Sequence, residues 1–158
     1  MELYPTKELK FRLINEQVET LTRLNRRTDK SEKLISSDTD RSFLGTINGN
    51  KFKIISATLG KGAFCVMHGS IESESGNVRV EIHKVFKILL SIFLLFPIVG
   101  FIAITISDTE KFSPLFILIT IGQILMIRYA FIGLAFNFLS KESLNRLRDV
   151  VDFEWIHN

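Results

Sequence analysis

The chain has 158 residues, 46% of them hydrophobic, with 20 basic and 17 acidic side chains and a formal net charge of +3. About a third of this length is a long apolar stretch, and the remaining residues, roughly 100, suffice for one small soluble domain. The basic residues form no long runs, so the sequence predicts no nucleic-acid partner. The single cysteine, Cys65, excludes an internal disulfide and a multi-cysteine metal site.

Residues 1–41 predict an amphipathic helix followed by a polar linker. Thr6 is a plausible N-cap, and apolar residues recur at helical spacing as far as about Arg26, namely Phe11, Ile14, Val18 and Leu21. Residues 27–41 are rich in Ser, Thr, Asp and Lys, a composition typical of a linker. Because the charged N-terminus has no apolar core of its own, we expect no cleavable signal peptide.

Residues 42–84 have a β pattern and predict a four-stranded antiparallel sheet. Three turn signals separate the strands: Asn48-Gly49-Asn50, Gly60-Lys61-Gly62 and Glu74-Ser75-Gly76-Asn77. The second of these lacks the spacing of a phosphate-binding loop and lies between two strands, so we interpret it as a hairpin turn. Since the last strand leads directly into Lys84 and the apolar stretch, the sheet is expected to be coupled mechanically to the helix that follows.

Three side chains with catalytic or ligating chemistry lie in this β region. A nucleophilic Cys65 would need a base, but His68 is three residues away and therefore on the opposite face of a regular strand. His68 and His83 have no acidic partners at metal-ligand spacing. The sequence predicts no catalytic, cofactor-binding or metal site, and it favours a protein that is not an enzyme.

From Val85 to Leu139 the chain is almost continuously apolar, and we predict a hairpin of two membrane-spanning helices. The predicted spans cover about 88–107 and 112–131, each close to the roughly 20 residues that a bilayer core of about 30 Å requires. The second helix is expected to continue to residue 139.

Basic residues flank the hairpin at both outer ends, whereas the loop that joins the helices is acidic on balance. The flanking bases are Lys84, Lys87, Lys141, Arg146 and Arg148, and the loop carries Asp108, Glu110 and Lys111. The positive-inside rule places both flanks, and hence both termini, in the cytoplasm. We therefore predict a multi-pass protein of a bacterial inner membrane.

Arg128 is the one charged residue within the second span. It lies about 18 residues, or about 27 Å, from the hairpin tip, which puts it near the cytoplasmic interface rather than at mid-membrane. An arginine beside Tyr129 is typical of an interface anchor. The predicted anchors are Lys84, Lys87, Arg128, Tyr129 and Lys141. Residues 130–139 then either leave the lipid to cover the soluble domain or belong to a long, tilted helix.

Ser140 is a plausible N-cap for a cytoplasmic helix over residues 140–158, with an apolar stripe that ends at Trp155. Trp155 is expected either at the lipid headgroups or against the sheet. The predicted fold is thus an α+β membrane protein. Its small four-stranded antiparallel sheet is flanked by N- and C-terminal amphipathic helices, and a two-helix transmembrane hairpin emerges from one edge.

Three short motifs resemble those of small uncharacterised two-span membrane proteins common in Bacteroidetes-type genomes. The motifs are Phe43-Leu44-Gly45-Thr46-Ile47, Phe52-Lys53-Ile54 and Gly69-Ser70-Ile71, followed by the hairpin. The resemblance covers most of residues 42–139, and it implies architecture alone, with no activity or functional residues.

Two functions remain open from the sequence. The first is a non-enzymatic module for binding or sensing, anchored in the lipid bilayer, with a protein partner or a second copy of the chain as further possible partners. The second is a membrane-active effector or channel component whose hairpins oligomerise, for which Arg128 and Gln123 are the polar groups within the span. A membrane enzyme that uses Cys65 or the histidines is the least favoured alternative.

Overall fold

The computed structural model describes residues 4–32, 34, 39–58, 62–107 and 114–156. The chain forms two compact units. One comprises Met1–His83 together with Phe136–Asn158, and it contains the sheet. The other is Lys84–Ala135, which is helical throughout its described part.

The elements follow one another in the order β1 (Thr6–Leu13), α1 (Gln17–Arg27), β2 (Thr28–Lys30), β3 (Phe43–Asn48), β4 (Lys51–Ser56), a 3₁₀ turn (Gly62–Phe64), β5 (Cys65–Ile71), β6 (Ser75–Ile82), α2 (Lys84–Ser107), α3 (Pro114–Leu125), a π-helical segment (Met126–Gly133), α4 (Leu134–Val151) and β7 (Phe153–Trp155). From α3 to α4 the helix is continuous over 38 residues.

The sheet has seven strands in the order β2-β3-β4-β5-β6-β1-β7. Strands β3 to β6 form the predicted antiparallel meander. The third turn comes earlier than predicted, because Ser75, Gly76 and Asn77 already belong to β6. The predicted turn Gly60-Lys61-Gly62 lies partly outside the described residues. The α+β class agrees with the prediction, but the count of four strands is wrong. The sheet also gains β1, β2 and β7, and it is mixed because β2 pairs with β3 in parallel.

The N-terminal segment is a strand where the sequence predicts a helix. Thr6 is the first residue of β1 and not a helix N-cap, and β1 pairs with β6 from Thr6↔Glu81 to Arg12↔Ser75. The side chain of Phe11 is fully buried, whereas Val18, also part of the predicted helical stripe, is 73% exposed. The helix begins only at Gln17.

The C-terminal segment also differs from the prediction. Ser140 is not an N-cap, since it lies inside α4, where its side chain is fully buried. The helix ends at Val151, and the backbone at Asp152 turns with a φ of 60°. Phe153 then starts β7 instead of continuing the helix.

The main core of the sheet-containing unit combines one face of the sheet with α1 and α4. The fully or almost fully buried residues include Phe11, Phe43, Ile54, Met67, Val80 and Ile82 from the strands, Leu24 from α1, and Phe136, Leu144, Leu147 and Val151 from α4. Gly76 lies against this core, where an added Cβ would collide with the ring of Phe11. A smaller cluster on the other face contains Leu34, Leu44, Ile55, Ala57 and Val66.

The helical unit contains two helices in contact, α2 and α3. None of the side chains of α2 or α3 is buried. The most apolar windows of α2 and of the continuous helix Pro114–Val151 have mean hydropathies of 2.7 and 2.1, so both helices are long and apolar enough to cross a membrane.

Candidate ligand groove

A groove of about 820 Å³ lies in the sheet-containing unit, beside the N-terminal half of β1. We call it the β1 groove. Its lining residues are Lys7, Glu8, Leu9 and Lys10 of β1; Asn77, Val78 and Arg79 of β6; Lys141, Leu144 and Asn145 of α4; and Trp155 and Ile156 at the end of the described chain.

The groove lies where β7 stops covering β1. β7 is three residues long and pairs only with Phe11, Arg12 and Leu13. One further backbone hydrogen bond joins the two segments beyond the strand pair, from the N–H of Ile156 to the carbonyl of Lys10. The preceding residues of β1, from Lys7 to Lys10, border the cavity.

An aromatic cluster fixes one wall of the groove. The ring of Trp155 meets that of Phe153 edge-on at 4.6 Å between centroids, and it meets Phe11 edge-on at 6.3 Å. Leu144 and Val78 are almost fully buried and add apolar wall. Since Phe11 and Phe153 are themselves buried, the indole is held by core residues rather than by a loop.

The charged lining of the groove is predominantly basic. The groove is bordered by four basic residues and one acidic residue, Glu8, whose Oε1 lies 3.3 Å from Nη1 of Arg79. The register of β1 places Lys7 on the face of the sheet that carries Trp155, and it places Glu8, Lys10 and Arg79 on the other face. The other three bases are Lys7, Lys10 and Lys141, and within the described part of the chain they form no ion pair. The groove therefore attracts anions, since its one carboxylate is already paired with a guanidinium.

Two asparagines border the groove, Asn145 on α4 and Asn77 on the face of the sheet that carries Lys10. The Oδ1 atom of Asn77 accepts hydrogen bonds from the backbone N–H and the hydroxyl of Ser70, both at 3.2 Å. These bonds orient the amide and leave its NH₂ group as a donor. Asn145 lies half-buried on α4, and its amide offers a second donor and acceptor pair to the groove.

The three residues with catalytic or ligating chemistry lie outside the groove. Cys65 is fully buried, and burial raises the pKa of its thiol to about 12. His68 is half-buried with Nε2 at 3.1 Å from Oε1 of Glu81. Burial lowers the pKa of His68 below its usual value, the Glu81 carboxylate opposes this shift, and the charges of Lys53 and Arg79 add to it. The strand register places Cys65 and His68 on opposite faces of the sheet.

Burial also lowers the pKa of His83. No group of three or more His, Cys, Asp or Glu side chains that could hold a metal ion occurs among the residues described by the structure.

The five predicted interface anchors lie at different places in the fold. Lys84 and Lys87 are in the first turn of α2. Arg128 and Tyr129 lie in the π-helical segment, with the guanidinium carbon 5.7 Å from the Tyr129 ring centroid. Lys141 is on α4 and lines the β1 groove. The interface role of all five stays a prediction.

Nothing in the sequence pattern singled out the groove. Its lysines are separated by more than 130 positions, from Lys7 to Lys141, and Trp155 reaches the same cavity from a third segment. Trp155 is itself a residue of the sheet, in β7, and its ring contacts Phe11 and Phe153. Comparisons of this chain with protein-family models, with curated proteins and with solved structures gave no match.

Proposed function

We propose that the chain is an integral membrane protein of a bacterial inner membrane that carries a cytoplasmic α+β module for binding or sensing, without catalytic activity. The observation that carries the membrane part is the exposure of α2. It has 24 residues, and its most apolar window has a mean hydropathy of 2.7, yet none of its side chains is buried. A core helix of a soluble protein would be mostly buried, and lipid is the solvent that suits such a surface.

The flanking charges support the orientation. Lys84 and Lys87 precede the first span, and basic residues of α4 follow the second, so both ends of the hairpin favour the cytoplasmic side. Both termini would then be cytoplasmic, together with the sheet. The likeness of the strand motifs and hairpin to small two-span proteins of the Bacteroidetes type agrees with this architecture.

The β1 groove supports the binding part of the proposal. It combines a fixed apolar wall with lysines that form no ion pair among the described residues, in a cavity whose size falls in the range of ligand pockets, about 300–1,000 Å³. The buried thiol of Cys65, by contrast, has no adjacent base, because His68 lies on the opposite face of the sheet.

Membrane insertion and orientation can be tested in one set of variants. In a Cys65→Ala background, Ser107→Cys marks the end of α2 and Asn50→Cys marks the exposed β3–β4 turn. We expect a membrane-impermeant maleimide to label Ser107→Cys in intact cells whose outer membrane has been permeabilised. Asn50→Cys should react only after the inner membrane is disrupted. Release of the protein by alkaline carbonate would contradict insertion, and the reverse labelling pattern would contradict the orientation.

A channel-forming role is the second candidate, and one observation favours it. The continuous helix Pro114–Val151 changes to π-helical geometry over Met126–Gly133, a segment that contains Arg128. Such π-helical turns frequently occur at functional sites, and a charge within a span often marks an ion pathway. Liposomes that contain the protein would then leak a fluorescent dye, and Arg128→Leu would alter the leak rate. Leakage equal to that of empty liposomes for both proteins would exclude this role.

A further inference from the structure

We propose that the β1 groove binds a nucleoside phosphate. This inference deepens the binding role given above and rests on that part of the proposed function, but it does not depend on membrane anchoring. Its basis is the combination in one groove of Lys7 and Lys141, which form no ion pair within the described part of the chain, with a fixed indole and the amide of Asn145.

The phosphate would contact the lysines. Lys7 comes from β1 and Lys141 from α4, so positive charge is contributed by two separate elements of the unit. Lys10 belongs to the other face of β1 and is not one of these groups. A lysine ammonium binds phosphate as a compact charge with several donors. Arg79 pairs with Glu8 at 3.3 Å on the other face of the sheet, so Lys7 and Lys141 are the groups that attract an anion beside Trp155.

The nucleobase would contact the wall formed by Trp155. Aromatic side chains favour flat π systems, and base–aromatic stacking is a common source of affinity in nucleotide recognition. Asn145 adds an amide that can both donate to and accept from a base edge, as asparagine does with adenine. An aliphatic anion would use the lysines but not this amide.

The size of the groove favours a small ligand of this kind over its alternatives. A volume of about 820 Å³ is far larger than inorganic phosphate requires, and that ion would leave the partly exposed ring of Trp155 without a ligand contact. A lipid headgroup that is recognised by charge alone would likewise leave the apolar wall unused. A phosphorylated molecule with an aromatic ring uses both parts of the lining.

The test uses the full-length protein in neutral nanodiscs, titrated calorimetrically with AMP, ADP, ATP and GTP. We expect at least one of these nucleotides to bind saturably. Adenosine and inorganic phosphate should each bind at least about tenfold more weakly. Adenosine lacks the phosphate that would contact the lysines, and inorganic phosphate lacks the base that would contact Trp155. Emission from Trp155, the only tryptophan of the chain, should change on nucleotide addition.

Matched lysine variants locate the site. Lys141→Ala and Lys7→Ala should each weaken nucleotide binding by about tenfold, the loss typical of one charge-assisted contact. Lys51→Ala, an exposed lysine on β4 outside the groove, should leave it unchanged. Equal melting temperatures for the three variants would establish that they are folded. Trp155→Phe should keep the fold and weaken binding less than the lysine changes do.

Three results would overturn the inference. They are absence of saturable binding for all four nucleotides, equal affinity in Lys141→Ala and Lys51→Ala, and a Trp155 response to phosphatidylglycerol vesicles without a response to nucleotides. The last result would assign the groove to a lipid. A protein that resists carbonate extraction but binds no nucleotide contradicts this inference alone, whereas one that binds nucleotide but is extracted contradicts the membrane proposal alone.

Discussion

Phe11 and Phe153 stack with their ring centroids 4.2 Å apart and their planes inclined by 27°. This contact joins the first strand to the last, across 142 positions of sequence and past the whole hairpin. The two rings also hold Trp155 edge-on, so the wall of the β1 groove depends on residues at both ends of the chain. Removal of either ring should therefore affect stability and the groove together.

We predict that Phe153→Ala lowers the free energy of unfolding of the sheet-containing unit by about 3–5 kcal/mol, the usual cost of truncating a buried phenylalanine. Phe153 is 2% exposed, and its loss also removes the partner of Phe11. Chemical denaturation in detergent, followed by Trp155 fluorescence, measures the change. Val18→Ala, at a residue that is 73% exposed, is the matched control and should shift stability by less than about 0.5 kcal/mol. A small effect of Phe153→Ala would mean that the aromatic cluster does not anchor β7.

The thiol of Cys65 should be inert in the folded protein. Burial raises its pKa to about 12, so almost no thiolate is present at pH 8, and the sulfur is also inaccessible. We expect iodoacetamide to modify Cys65 only in denaturant, with mass spectrometry as the measurement. The variant Asn50→Cys should gain exactly one rapidly modified thiol at its exposed turn. Fast modification of Cys65 in the wild-type protein would reveal opening of the core around β5.

We predict that the folded protein loses stability in mild acid because His68 and His83 become protonated. Burial lowers the pKa of both His68 and His83 in the folded state, so the unfolded chain, with its usual pKa of 6.5, binds more protons as the pH falls. Stability contributed by the neutral imidazoles is present above pH 6.5 and is lost as the pH falls below that value. Glu81 favours protonation of both residues and thus reduces the effect.

Melting temperatures at pH 7.5 and pH 5.5 measure this dependence. The decrease between the two values should be smaller in His68→Gln, and smaller still when His83→Gln is added, because an amide does not titrate in this range. Carboxylates that do not interact with the histidines contribute equally to all three proteins, so the difference between variants reports the histidines together with their partner Glu81. An identical decrease in wild type and double variant would show that neither imidazole is held neutral by the fold.

The parts of the fold that the sequence revealed are those encoded locally. Turn chemistry and alternation locate β3 to β6, and hydropathy locates the two long helices, although the bounds of β6 and of both helices differ from the predicted ones. β1 was missed because Phe11 belongs to two patterns at once, a helical stripe with Ile14 and a strand alternation with Leu9 and Leu13. Pairing with β6, which lies more than 60 positions away, decides between them.

Pairing between distant segments also explains why the short strands β2 and β7 were not predicted from the sequence. β2 and β7 have three residues each, too few for a recognisable period, and each is defined by the neighbour to which it pairs. The β1 groove is the extreme case, because Lys7, Lys141 and Trp155 are brought together only by the complete sheet and α4. Its lysines have no local signature that separates them from ordinary surface lysines.

Asp152 forms the backbone turn between the end of α4 and the start of β7, the strand that carries Trp155 of the groove wall. Its φ of 60° lies in the left-handed region, and its N–H donates to the carbonyl of Arg148 at 2.8 Å, the hydrogen bond that ends many helices. Aspartate tolerates this conformation better than most residues, and glycine adopts it without steric cost. The side chain also makes peripheral contacts, 3.6 Å to Arg23 and 3.4 Å to Asn15.

We predict that Asp152→Val destabilises the unit by about 1–3 kcal/mol, because a β-branched residue is strained at positive φ. Asp152→Gly should stay within about 1 kcal/mol of wild type, since relief of strain offsets the loss of two exposed contacts. Denaturation followed by Trp155 emission reports both stability and the environment of the groove. If Asp152→Gly were as damaging as Asp152→Val, the contacts with Arg23 and Asn15, and not the backbone turn, would position β7.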